Sequence, residues 1–190
     1  MEQNKELMQA YRLLKNTNTS FFLTGRAGTG KTTFIQNAQK EIKKNFVILA
    51  PTGVAAINAG GMTIHSFFGF EPKVLTPYDR ASVNRDNYKI LRAADTIIID
   101  EVSMVRCDVI DAINRTLQKC MKNILPFGGK QMLFVGDMFQ LEPIVSTDDK
   151  EEMKKLYGDR KPFFFNADVF SHITINPIEL RQVYRQVDER

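Results

Sequence analysis

Gly25-Arg26-Ala27-Gly28-Thr29-Gly30-Lys31-Thr32 fits the pattern G-x-x-x-x-G-K-[ST], and its flanks give the pattern its meaning. The apolar run Phe21-Phe22-Leu23-Thr24 precedes it, and helical periodicity from Thr32 to about Lys44 follows. A glycine-rich loop between a strand and a helix lets the backbone curl until consecutive N–H groups and the helix N-terminus face a polyphosphate. Gly25, Ala27, Gly28, Thr29 and Gly30 supply that cradle, with Thr33 in the turn behind it. Lys31 adds charge at the β/γ oxygens, and Thr32 offers a hydroxyl to Mg2+.

Outward from this loop the chain alternates strand and helix. Phe46–Ala50, bounded by Asn45 and Pro51, Thr96–Ile99 and Gln131–Val135 read as short buried strands. Helix-like segments run from Glu2 to about Lys15 and from about Val105 to Lys122. Such alternation predicts βαβ units, hence an α/β fold whose mainly parallel sheet is covered by helices on both faces. Ligands in such sheets gather at the carboxyl ends of the strands. Residues 69–87, with Pro72 and Pro77 and no clear period, predict a surface loop or small hairpin insert. Lys150–Lys155 reads as a solvated, charged helical face.

Two more strand ends carry chemistry. Ile97-Ile98-Ile99 delivers Asp100 and Glu101 to a carboxyl tip, where Asp100 can hold Mg2+ through water and Glu101 can orient and deprotonate an attacking water. Alone, the two carboxylates leave open a second, less favoured reading, that they cap the next helix. The third strand ends in Gly136-Asp137-Met138-Phe139-Gln140, so Gln140 is either a γ-phosphate sensor or an ordinary loop side chain.

Composition excludes several classes. A length of 190 residues suits one domain with room for a small insert. Hydrophobic residues make up 43% against only 11 Gly and 7 Pro, so a low-complexity or collagen-like chain is ruled out. No apolar run reaches the roughly 20 residues of a membrane span, and Met1-Glu2-Gln3-Asn4-Lys5 lacks the apolar stretch of a signal peptide. Cys107 and Cys120, without CxxC spacing, suggest neither a disulfide framework nor a zinc site. The expectation is a reduced, cytoplasmic or nucleoid-associated protein without a membrane partner. A formal net charge of +4 permits a polyanionic partner without requiring one.

Five ordered segments carry a resemblance: Gly25–Thr33 (GRAGTGKTT), Ala50–Phe68 (APTGVAAINAGGMTIHSFF), Ile97–Val105 (IIIDEVSMV), Pro126–Ile144 (PFGGKQMLFVGDMFQLEPI) and Glu179–Gln186 (ELRQVYRQ). In order and content they resemble the motifs of superfamily 1B DNA helicases, and among these the petite-integration-frequency (Pif) family, relatives of RecD. The resemblance implies a three-layer, RecA-like P-loop domain that grips ATP at its edge and single-stranded DNA across its top. It assigns phosphate and Mg2+ to Gly28, Gly30, Lys31 and Thr32, metal binding to Asp100 and the catalytic base to Glu101. Gln140 becomes the γ-phosphate sensor and Arg185 an arginine finger, while Arg181 reads as a solvated neighbour. For DNA it points to Pro51, Thr52 and Gly53, to Thr63, His65, Ser66 and Phe67, and to Phe127 within Pro126–Gly129. Hydroxyls and loop N–H groups can hold phosphates, and a ring can stack on a base. A lone His between apolar residues is as readily a half-buried core side chain, and Phe67, Phe68 and Phe163–Phe165 read more naturally as core.

Where such helicases carry an adenine-reading glutamine, this chain offers Gln3 and Gln9 without a clean match. The charged run from Glu179 to Arg190 reads as the start of a further element. The expectation is therefore a fragment of a longer, monomeric protein whose second RecA-like domain is absent. Its DNA partners would be single strands and duplex or G-quadruplex structures. Two other classes remain open at this point: a P-loop kinase or GTPase, and a nucleotide-gated DNA- or partner-binding module without helicase activity.

Overall fold

The computed structural model describes residues 4–140 and 142–183. Its strands are β1 (Phe21–Gly25), β2 (Phe46–Ala50), β3 (Met62–Thr63), β4 (Thr96–Ile99), β5 (Gln131–Gly136) and β6 (Asn176–Leu180). They form one sheet in the order β3-β2-β4-β5-β1-β6, with every pairing parallel. The helices are α1 (Lys5–Asn16), α2 (Lys31–Glu41), α3 (Gly53–Ala59), α4 (Ile64–Phe68), α5 (Arg85–Ala93), α6 (Cys107–Met121) and α7 (Asp149–Tyr157).

Strand alternation sorts the core into two layers. Phe21, Leu23, Ile48, Ile98, Leu133 and Val135 face Leu14 of α1 and Ile35 and Ala38 of α2. Their sequence neighbours Phe22, Val47, Ile97, Ile99, Met132 and Phe134 face Leu91 of α5 and Ile110, Ile113 and Leu117 of α6. Each such side chain contributes about 1.5–3 kcal/mol when fully buried. The predicted α/β fold with helices on both sheet faces is the fold observed.

The elements differ from the sequence expectation in five places. The described part of α1 begins at Lys5, because the Asn4 side chain accepts the N–H groups of Glu6 and Leu7 and caps the helix there. Helix α2 ends at Glu41, where Ile42 turns extended and Lys44 Nζ reaches the Thr17 carbonyl at 2.7 Å and Gln131 Oε1 at 3.0 Å. Strand β6 went unread because Pro177 and polar residues hide its pattern, and an edge strand tolerates a proline that a central one would not. Strand β3, only two residues long, left no periodicity to read. The predicted insert forms no hairpin. Residues 69–84 are held as a coil by buried Val74 and Leu75, and residues 85–87 already belong to α5, capped by Asn84. Asp108, fully buried, accepts the Leu75 N–H at 2.9 Å and Arg106 Nε at 2.8 Å, while Arg106 Nη2 donates to the Lys73 carbonyl.

Candidate functional site

The loop after β1 is built by glycine where no other residue fits. Gly30 adopts φ 88°, open to glycine at no steric cost, and a Cβ on Gly25 would lie 2.6 Å from Thr29 Oγ1 and 2.8 Å from the Leu180 carbonyl of β6. Ala27 and Gly28 are exposed, with Gly30, Lys31 and Thr32 half-buried behind them. Lys31 Nζ donates to the carbonyls of Gly25 at 2.6 Å and Arg26 at 3.1 Å, so its ammonium stands inside the curl of the loop. Thr29 departs from the expected role. It is buried, and both its N–H and its hydroxyl donate to the Arg26 carbonyl, so it braces the loop and does not face a ligand.

Asp100 and Glu101 follow β4, beside the tip of β5. Asp100 is 4% exposed and accepts the Glu101 N–H at 2.9 Å. Burial pushes its carboxyl up to about 6; the Glu101 N–H and the Lys31 charge pull it down, and the Glu101 charge adds to the rise. Glu101 sits at φ 50°, ψ 40°, a left-handed conformation that costs a non-glycine residue about 1–3 kcal/mol and gathers at functional sites. The two strand tips are locked together at Gly136, where a Cβ would come within 3.2–3.3 Å of Val102 and Ser103. Beyond Gly136 the chain turns tightly, with the Phe139 N–H on Asp137 Oδ1 and the Gln140 N–H on the Asp137 carbonyl, which leaves Gln140 exposed. Arg185 and Gln3 lie outside the described residues.

These groups suit Mg2+. Asp100 has no ion-pair partner among the described residues, and with the Thr32 hydroxyl it offers hard oxygen donors. Among the described residues no three His, Cys, Asp or Glu come together as a metal cage. One carboxylate, one hydroxyl and phosphate oxygens are the usual surroundings of Mg2+ at a nucleotide.

Between the loop, α1 and α2 lies a cleft of about 860 Å³, lined by Leu7, Met8, Tyr11, Arg12, Gly28, Gly30, Thr33, Phe34, Asn37 and Glu41. Its size and mixed lining suit a nucleoside. Gln9 is not among the lining residues and is exposed, so it is no base reader. Helix geometry explains the correction: positions 7, 8, 11 and 12 share a face of α1, and position 9 points away from it. Tyr11 and Arg12 were missed by sequence reasoning, although this same spacing was available to find them. Tyr11 and Glu41 both line the cleft, and the Tyr11 phenol is raised chiefly by burial, with Glu41 adding to the rise.

At the same carboxyl edge, over β2 and β3, stand most of the residues expected to meet DNA. Pro51 and Thr52 are half-buried, with Gly53 exposed. Thr52 Oγ1 accepts the Ala55 N–H and Thr63 Oγ1 the Ser66 N–H, each at 3.2 Å, which leaves both hydroxyl protons to donate elsewhere. Ser66 is exposed. His65 is half-buried edge-on to Phe70, ring centroids 6.1 Å apart. Burial, and then the Arg106 charge, lower its pKa, with Asp108 opposing. Two expected contacts fail. Phe67 is 2% exposed and belongs to the core, and Phe127 is 0% exposed, packed against Phe134 and Phe170. Phe127 lies in a 3-10 turn entering β5 at its amino end, opposite Gln140, and its N–H donates to Asn114 Oδ1 at 2.7 Å. Pro126–Gly129 thus fastens β5 to α6 and presents no ring to a base. Phe164 is core as expected, whereas Phe165 is partly exposed.

A family model described as PIF1-like helicase matches residues 1–189. The ATP-dependent DNA helicase PIF1 of Candida albicans is 33% identical over 180 residues, covering 90% of this chain and 19% of its own length. The ATP-dependent DNA helicase RRM3 of Saccharomyces cerevisiae is 30% identical over 198 residues, covering 100% of this chain and 26% of its own. A crystal structure of Bacteroides Pif1 bound to single-stranded DNA superposes with TM-score 0.90 at 39% identity, over 99% of this chain and 44% of that one. A crystal structure of Pif1 from Bacteroides in complex with ADP-AlF4 gives 0.90 at 40% identity, over 98% and 44%. The chain therefore spans about a quarter or less of these curated relatives and under half of these solved chains.

Proposed function

The chain belongs to the PIF1-like helicase family, and from that premise we propose that it is the ATP-binding and hydrolysing motor domain of a DNA helicase that moves 5′ to 3′ on single-stranded DNA. One observation carries the reading: the phosphate loop, the Asp100-Glu101 tip and the Gln140 turn share a single sheet edge with Thr52, Thr63 and His65. Nucleotide and DNA would thus bind along one row of strand tips, where movement at one is felt at the other.

In this mechanism the nucleoside lies in the cleft beside Tyr11 and Arg12, and the triphosphate lies along the loop. Lys31 gives up the loop carbonyls for β/γ oxygens, a charge-assisted exchange. Thr32 and Asp100 would hold Mg2+, which supplies neutralisation of the phosphate charge. Glu101 orients a water and takes its proton as oxygen attacks the γ-phosphorus and the β–γ bridge breaks. Gln140 reports whether the γ-phosphate is present, and Arg185 completes the site when the second RecA-like domain closes on it. At the DNA edge the Thr52 and Thr63 hydroxyls donate to phosphates, and His65, kept neutral, packs against a base or sugar. The parent protein would work as a monomer in the reduced cytoplasm or at the nucleoid, on duplex forks and G-quadruplex structures.

The test is steady-state ATP hydrolysis by this chain and by a version extended through a second RecA-like domain, each with and without single-stranded oligonucleotide, with Lys31→Ala as blank. Strong stimulation by DNA in the longer protein, with feeble turnover and no unwinding by the 190-residue chain, is expected. Nucleotide binding through Lys31 without any response to DNA in either protein would overturn the helicase reading.

A further inference from the structure

A second charged surface lies away from this edge. On α5, Arg85, Lys89 and Arg92 follow i, i+4, i+7 spacing, and on α6 Arg115, which donates to the Thr76 carbonyl at 3.0 Å, and Lys119 stand one turn apart, with Lys122 at the left-handed cap beyond the helix. The α5 triplet therefore forms a stripe along one face of its helix, and Arg115 and Lys119 share a face of α6. The two helices pack together, with the Tyr88 hydroxyl of α5 donating to the Cys120 carbonyl of α6 at 3.4 Å. Arg80, Arg115 and Lys119 line one cavity of about 430 Å³ between the helices and the 69–84 segment. The acids among them are few. Asp86 is paired with Lys89 at 3.3 Å and Asp79 with Lys73 at 2.7 Å, while Arg80, Arg85 and Lys119 have no ion-pair partner among the described residues. The end of α5 leads directly into β4, and α6 leads through the Pro126–Gly129 turn into β5. The stripes thus run toward the amino ends of the strands, opposite Asp100 and Gln140.

We propose that this α5/α6 face binds the phosphate backbone of a DNA duplex, separately from the single-strand edge. The identity of the polyanion rests on the helicase reading; the surface itself does not. Seven residues of helix rise about 10 Å, close to the rise of three phosphates along one strand of duplex at about 3.4 Å each. The two helices offer no exposed aromatic ring as a platform for unpaired bases. Tyr88 is half-buried with the Arg92 guanidinium 6.0 Å above its ring, and the exposed Tyr78 stands on the preceding segment. Charge without stacking fits a paired backbone better than a single strand.

The test compares the wild-type chain with Arg85→Ala/Lys89→Ala/Lys119→Ala, all exposed positions, and with a control of equal charge change on α7, Lys150→Ala/Lys154→Ala/Lys155→Ala. Fluorescence anisotropy reads affinity for a short blunt duplex and for oligo(dT) across a salt series, and MgATP binding reports the intact fold. The α5/α6 variant is expected to lose duplex affinity about tenfold or more and to flatten the log K against log salt slope by about 2–3, with oligo(dT) binding held. The α7 control should leave duplex binding in place. Unchanged duplex affinity, an equal loss in the α7 control, or an equal loss for oligo(dT) would each overturn the proposal. Failure to bind MgATP or oligo(dT) at all would instead count against the helicase reading, whatever the duplex result.

Discussion

Replacing Asp100 with Asn should make the metal-free chain more stable while weakening its hold on Mg-nucleotide. In the folded chain the Asp100 carboxyl is raised to about 6 from the 3.8 of a free aspartate, mainly by burial. That gap corresponds to about 3 kcal/mol. Between the two values the folded state binds more protons than the unfolded one, so stability falls as pH rises through this window and the full penalty stands above about pH 6. Asparagine keeps an oxygen for the Glu101 N–H, now at 2.9 Å from Asp100 Oδ1, and carries no charge to bury. The variant should therefore gain up to about 3 kcal/mol near pH 7.5 and almost nothing near pH 4. For a chain of this size that is a rise in Tm of about 6–12 °C. Thermal melts in a chelator at both pH values measure the gain. Repeating them with MgATP should raise the wild-type Tm further and the variant's much less, since ligand stabilises only in proportion to its affinity for the folded state. An Asn variant that melts at or below wild type at both pH values would refute the reasoning, for Asp100 would then carry no buried, uncompensated charge.

Two further outcomes follow from the placement of aromatic and imidazole side chains. Phe127→Ala should lower unfolding free energy by about 3–5 kcal/mol in urea titrations while leaving the oligo(dT) affinity of the folded fraction unchanged; a selective loss of DNA binding at intact stability would restore Phe127 as a contact. His65 has its pKa lowered, chiefly by burial, so the unfolded chain binds its proton more readily. Stability should rise as pH climbs toward about 6.5, and His65→Gln should remove that part of the slope without changing the pH dependence of oligo(dT) affinity above it; DNA binding that strengthens on acidification and loses this response in the variant would mean that a charged imidazole grips phosphate.

The catalytic part of the site was legible in the sequence because its backbone geometry is local. A strand that runs into GxxxxGK[ST] or into Asp-Glu fixes where the next residues stand, and parallel pairing of β1, β4 and β5 then brings those tips together. The placement of the side chains expected to meet DNA depended on facts a linear pattern does not carry. Phe127 is turned inward by a run of left-handed residues, φ 54° at Phe127, 64° at Gly128 and 78° at Gly129. The glycines mark that turn, but nothing in their spacing says on which side of it the ring falls. Phe67 was pointed to DNA only by the family resemblance; its apolar character already read as core, where it lies at 2% exposure.

Helical faces, by contrast, can be read from spacing wherever the helix is long enough. The rule that removes Gln9 from the cleft and brings in Tyr11 and Arg12 also aligns Arg85 with Lys89 and Arg92, and Arg115 with Lys119. What spacing cannot supply is the contact of α5 with α6, which turns two ordinary charged stripes into one surface. Beside them the 69–84 segment is folded down against α6, where the Arg115 guanidinium donates to the Thr76 carbonyl at 3.0 Å. Buried Asp108 secures it by accepting from the Leu75 backbone and the Arg106 side chain together. Arg106 and Asp108 thus hold the 69–84 segment against the start of α6, with the Arg106 guanidinium also on the Lys73 carbonyl. Removing either partner would leave the other's charge buried or its donors unpaired, a loss of about 3–5 kcal/mol. The two members of this contact, Arg106 and Asp108, look in sequence like ordinary charges at the start of a helix.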